Sequence, residues 1–157
     1  MRTSRRPIQV LALLVGIAFL VVGLLGFIPG ITGGDLHFAG PHSEAELFGA
    51  FQVSVLHNLV HLLFGVLGIA AFFAPGPARA FLMIGGGLYV VLWIYGVALD
   101  DESPANFIPL NNADNWLHLG LGVGMIAFGV LGTVLERAKG EYPRDPVDAE
   151  SAADSDR

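Results

Sequence analysis

The chain has 157 residues, of which 54% are hydrophobic and only 14% charged, and its mean hydropathy of +0.63 lies outside the range of ordinary soluble domains. It contains no cysteine, which excludes disulfides, thiolate metal centres, iron–sulfur clusters and cysteine nucleophiles. A formal net charge of −6, with no dense cluster of Lys and Arg, excludes nucleic acid as a partner, so the lipid bilayer is the first partner expected.

A basic start, Met1 to Pro7, precedes Ile8 to Ile28, an uncharged apolar run of 21 residues or about 30 Å of helix, enough to span a bilayer. A cleavable signal peptide shares this layout, but its apolar core runs only roughly 7–15 residues. With no small-x-small site following, the segment reads as a retained first span. Pro29 to Phe51 is a polar loop broken by glycine and proline, and Ser43 with Glu46 forms a capping-box pattern that predicts helix over Ser43 to Phe51. The second span is expected at about 52–73, ending at Pro75-Gly76-Pro77, read as a tight turn between antiparallel helices.

A third span is expected at 80–99, with Tyr89, Trp93 and Tyr95 either at an interface belt or filling the bundle. Asp100 to Asn115 is the second polar loop, with Asp114 a candidate cap for a fourth span at about 116–135. From Glu136 to Arg157 the chain is acidic and proline-broken and reads as a disordered cytoplasmic tail, which leaves no carboxylate within a span. All eight Lys and Arg fall in the N-terminus, the second connection or the tail, so both termini are expected in the cytoplasm. The expected fold is an all-α four-helix transmembrane bundle.

One pattern occurs twice. Asn58-x-x-His61-x-x-x-Gly65 returns 57 residues later as Asn115-x-x-His118-x-x-x-Gly122, each copy on the second helix of a hairpin. This predicts an internal repeat of two similar hairpins related by an axis along the membrane normal. At 100° per residue, His57, Asn58, His61, Gly65 and Gly68 share one stripe of the second helix, and Asn111, Asn115, His118, Gly122 and Gly129 align on the fourth. Lipid offers these side chains no hydrogen bond, so both stripes are expected to face inward as a polar seam, with His61 and His118 at similar depth.

Several roles fit such a seam. The Asn and His side chains can fix helix register by hydrogen bonds across the bundle. His61 and His118 on different helices match the axial ligands of a b-type haem. His57 and His61, at i and i+4, can share a metal ion with His118. Proton or quinone handling uses the same imidazoles. Asp35, His37, His42, Glu44 and Glu46 in one loop, with Asp100, Asp101, Glu102 and Asp114 in the other, form a candidate cation site. Ala12-x-x-x-Gly16 and Gly120-x-x-x-Gly124 suit helix packing within the chain, self-association or contact with other membrane proteins. The usual catalytic signatures are missing, and Ser54, three residues before His57, lacks a carboxylate to orient the histidine.

HNLVHLLFGVLGIAA, GGGLYVVLWIYG and the stretch Ile108 to His118 (IPLNNADNWLH) resemble domain of unknown function 4383, a family of small four-span bacterial membrane proteins, over roughly residues 8 to 135. The resemblance implies the architecture and a bacterial plasma membrane location, and it brings no catalytic residue. A looser similarity to small DoxX-type four-helix membrane proteins, some tied to redox systems, is one of fold. The expected function is that of a non-enzymatic structural or accessory membrane component. The alternatives are a redox or cofactor-binding protein using His61 and His118, and a small-solute channel or transporter.

Overall fold

The computed structural model describes residues 5–100 and 102–140. Four helices carry the fold: α1 (Pro7–Leu25), α2 (Val55–Ala71), α3 (Pro75–Ala98) and α4 (Asn112–Ala138). Three of them, α1, α3 and α4, are long and apolar enough to cross a membrane. Large apolar side chains cover their outward faces, among them Leu14, Ile84, Val91 and Val130, while Ile8, Ala12, Phe19, Leu82, Tyr89 and Met125 pack inside. The tail expected to be disordered lies outside the described residues from 141 onward.

The closest packing is within the pairs α1–α2 and α3–α4. Glycines permit it. A Cβ at Gly16 would stand 2.8 Å from the backbone of Gly68, and one at Gly86 would stand 2.8 Å from the carbonyl oxygen of Gly122. Backbones that close exclude any side chain at the crossing, and the same small-residue logic serves both pairs.

The ends of the helices differ from the sequence expectation in four places. Ser43 to Phe51 is not helical. Phe48 and Gly49 both have positive φ, 56° and 64°, which turns the chain into a hairpin between β2 (Glu46–Leu47) and β3 (Phe51–Gln52). With β1 (Thr32–Gly33) these form a three-stranded antiparallel sheet, so the fold is mostly helical rather than wholly so. The capping pattern misled because the Ser43 hydroxyl donates to the Val53 carbonyl at 2.7 Å instead of capping a helix. The cap of α2 is Ser54, whose hydroxyl accepts from the His57 amide at 3.1 Å, and α2 is 17 residues long rather than a full-length span.

Pro75-Gly76-Pro77 is the first turn of α3, where a missing amide hydrogen bond does no harm, and the bend lies just before it. At α4 the cap is Asn111, not Asp114. Asn111 Oδ1 accepts from the Asp114 amide at 3.0 Å, and Asp114 Oδ2 accepts in return from the Asn111 amide at 3.1 Å. Finally, α4 continues to Ala138, so Glu136 belongs to a helix and is fully buried. Two carboxylates, Asp114 and Glu136, therefore sit within α4, one near each end.

Candidate functional site

The antiparallel order brings the first turns of α2 and α4 to the same end of the bundle as the small sheet. Ser54 and Asn111 cap those two helices by the same hydrogen bond to the amide three residues on. The capped turns then present His57 and His61 from α2, and Asp114 and His118 from α4, at i and i+4 on inward stripes.

The structure brings His57, His61 and His118 together. One ring nitrogen from each lies within 4.8 Å of those of the other two, and all three residues are buried. His57 is in the middle, its ring 4.6 Å from that of His61 and 5.8 Å from that of His118 between centroids. The carbonyls of Pro109 and Gln52 lie against the His57 ring and orient it. The Nδ1 atoms of all three histidines are buried with no hydrogen-bond partner among the described residues. A buried polar atom left unpaired costs about 1–3 kcal/mol. All three belong to residues whose rings are packed together here.

Beside the histidines is a cavity of ≈ 70 Å³. Its polar wall is His57, His61, His118 and Asp114, and its apolar wall includes Phe48, Phe51 and Val53 from the hairpin and its exit. Asp114 Oδ2 also accepts from the Gln52 amide at 2.9 Å, and Asn111 Nδ2 donates to the Ala50 carbonyl at 2.8 Å. The hairpin is thus fastened over the cavity by the first turn of α4.

Asn58, next to His57, and Asn115, next to Asp114, stand in matching settings. A side chain at Gly26 would collide with Asn58, and one at Gly96 would collide with Asn115. Asn58 Nδ2 donates to the Gly26 carbonyl at 2.9 Å. Two aromatic rings floor the cluster: Phe19 stacks on His61 at 5.7 Å, Tyr89 meets His118 edge-on at 5.2 Å, and the two stack on each other at 5.2 Å. The sequence offers Tyr89 only as an interface-belt or bundle residue and gives no role to Phe19, although Gly16-x-x-Phe19 and Gly86-x-x-Tyr89 carry a repeated signal.

The acidic loop residues do not form a common site. Glu44 and Glu46 border one surface depression, Asp100 and Glu102 another, and Asp114 faces the histidine cavity. His37 and His42 are exposed, and Asp101 lies outside the described residues. Gly120 and Gly124 have open space where a side chain would stand, so they pack against nothing among the described residues, whereas Gly16 packs against Gly68.

The opposite end of the bundle holds a second polar group. Glu136 pairs with Arg79, and Arg6 Nη1 approaches the same carboxylate oxygen at 3.9 Å. Arg79 Nε also donates to Thr133 Oγ1 at 2.9 Å. Gln9 Nε2 donates to the Phe72 carbonyl at 2.6 Å, joining α1 to the end of α2.

A family model described as a domain of unknown function (DUF4383) matches residues 9–131, and the chain belongs to that family. Nothing matches among curated proteins or among solved structures.

Proposed function

We propose that this member of the DUF4383 family is a multi-pass protein of a bacterial plasma membrane, with both termini cytoplasmic, that binds a small ligand in a chamber at its outer end. The observation that carries this reading is that three buried histidines, each with an unpaired Nδ1, line one cavity and bring a ring nitrogen apiece within 4.8 Å of one another. Packing alone gives no reason to bury three such atoms together, since hydrogen bonds between membrane helices exist to satisfy them. The Arg6–Glu136–Arg79 cluster at the other end argues against a through-channel and for a one-sided accessory binding protein. α2 is short because the sheet and loops, not lipid, cover its outer end.

The two hairpins are read as copies of one unit. Ser54 matches Asn111, His57 matches Asp114, Asn58 matches Asn115 and His61 matches His118, all at one offset. Gly16, Phe19 and Gly26 match Gly86, Tyr89 and Gly96 at another. The positive-inside distribution supports the orientation.

The test is thermal unfolding of His118→Leu and His61→Leu in mild detergent. A histidine that serves packing should lose stability on replacement. Here each leucine removes an unpaired buried nitrogen, and stability should hold or rise by about 1 kcal/mol. A loss of 2 kcal/mol or more in both, on the order of a large core deletion, overturns the reading. Orientation is checked directly because the chain has no cysteine of its own. Phe48→Cys should react with a membrane-impermeant maleimide on intact cells, and Lys139→Cys only after permeabilisation.

A further inference from the structure

We infer that the ligand of this chamber is a divalent transition-metal ion held by His57, His61 and His118. The inference rests on the reading of the chamber as a binding site and names what it binds.

Three neutral imidazoles without sulfur suit zinc, cobalt, nickel or copper, and carboxylate-rich sites suit calcium or magnesium. His57 and His61 at i and i+4 offer two donors from one face of α2, and His118 adds a third from α4. Metal–imidazole bonds of about 2.0–2.1 Å in a tetrahedron place donor nitrogens about 3.4 Å apart. The three nitrogens already lie within 4.8 Å of one another, so side-chain rotation closes the set without moving a helix. Each of the three histidines also keeps one ring nitrogen, Nδ1, without a hydrogen-bond partner among the described residues, so each has a donor to offer.

Charge is accounted for in the same cavity. An ion of charge +2 among neutral rings needs a nearby anion, and Asp114 supplies one. Its Oδ2 is held by the amides of Gln52 and Asn111, neither of which uses Oδ1. Three protein ligands leave a fourth position facing the cavity, where water completes the tetrahedron. Size separates this ligand from the larger cofactors considered for His61 and His118. A cavity of ≈ 70 Å³ admits an ion and its water but not a porphyrin or a quinone ring, and stacked Phe19 and Tyr89 fill the space beside the histidines.

The experiment is titration of the full chain, purified in mild detergent through a histidine-free tag, with Co²⁺ followed by visible absorption and with Zn²⁺ as competitor. The wild type should bind one Co²⁺ with the intense d–d bands of tetrahedral coordination, and Zn²⁺ should bleach them. His57→Leu, His61→Leu and His118→Leu should each weaken binding at least 100-fold and abolish the bands. His118→Gln repeats the loss with a polar side chain, separating loss of a ligand from loss of packing. Double replacement of the exposed His37 and His42 by alanine should change nothing. Asp114→Asn should weaken binding about tenfold, as removal of an outer-shell carboxylate does.

Binding by the wild type no tighter than by the three leucine variants overturns the metal assignment. If those variants are nevertheless as stable as the wild type or more so, the chamber stands and only its ligand is wrong. If they are strongly destabilised as well, the chamber falls with it.

Discussion

The two ends of this bundle bury polar side chains to a similar degree and treat them in opposite ways. At the end that holds the first turn of α1, Glu136 is buried beside Arg79 and Arg6, and Arg79 reaches Thr133 as well. At the end that carries the small sheet three histidines are buried against one another, and their Nδ1 atoms find no partner among the described residues. Burial alone therefore does not mark function in this molecule. What separates the two ends is charge pairing: Glu136, although its Oε1 has no partner, is held through Oε2 by Arg79 and Arg6, which ties the ends of α1, α3 and α4 together, whereas no ion pair among the described residues reaches the three imidazoles.

The largest test of that contrast is Arg79→Met. It leaves a fully buried carboxylate with only Arg6 at 3.9 Å, and removing one partner of a buried pair is strongly destabilising. We expect a loss of about 3 kcal/mol, read by thermal unfolding in detergent. Zinc should act in the opposite direction at the other end. At a free concentration 100 times its dissociation constant, an ion that binds only the folded state adds about 2.7 kcal/mol, and the increment should vanish in His118→Leu.

A finer test lies within the Asn and His seam. Asn58 and Asn115 occupy corresponding positions, but Asn58 donates to the Gly26 carbonyl. Asn58→Ala should therefore lose more stability than Asn115→Ala, by about 0.6–1 kcal/mol, the range of a hydrogen bond between membrane helices. Equal losses would mean that the Gly26 bond contributes nothing and that the two positions differ only in sequence.

The sequence made the helices and the histidine seam legible because lipid-facing stretches are uncharged and because polar residues at helical spacing repeat. The cluster of His57, His61 and His118 follows from that stripe once α2 and α4 are antiparallel to their partners and share an end. The ends of the helices were less legible. Glu136 reads as the first residue of an acidic tail, since its partners Arg79 and Arg6 are 57 and 130 positions away. No local pattern announces a pairing of that range. The hairpin over the cavity was hidden for a different reason: Ser43 and Glu46 match a helix start, and the feature that overrides them is a backbone turn at Phe48 and Gly49. Gly49 gives some warning of it. Phe48 gives none, because a phenylalanine rarely takes positive φ.

That turn yields the smallest expected effect and joins the fold to the site. Phe48 has φ 56° and its side chain is mostly exposed, yet it lines the histidine cavity. For a non-glycine residue the left-handed region costs roughly 1–2 kcal/mol, and such strain persists where the surrounding structure imposes it. Here the imposition comes from the Gln52 and Ala50 bonds to the first turn of α4 and from the Phe48 amide, which donates to the Ile31 carbonyl at 2.9 Å. Phe48→Gly relieves the strain and removes a ring from the cavity mouth. Because glycine also loosens the unfolded chain, the net gain in stability should be small, about 0.5 kcal/mol. Exchange of bound Co²⁺ for Zn²⁺ should nevertheless become faster, since the ring that covers the mouth is gone. Faster exchange at unchanged affinity places Phe48 on the entry path. A lower affinity with unchanged exchange places it instead in the wall that holds the histidines in register.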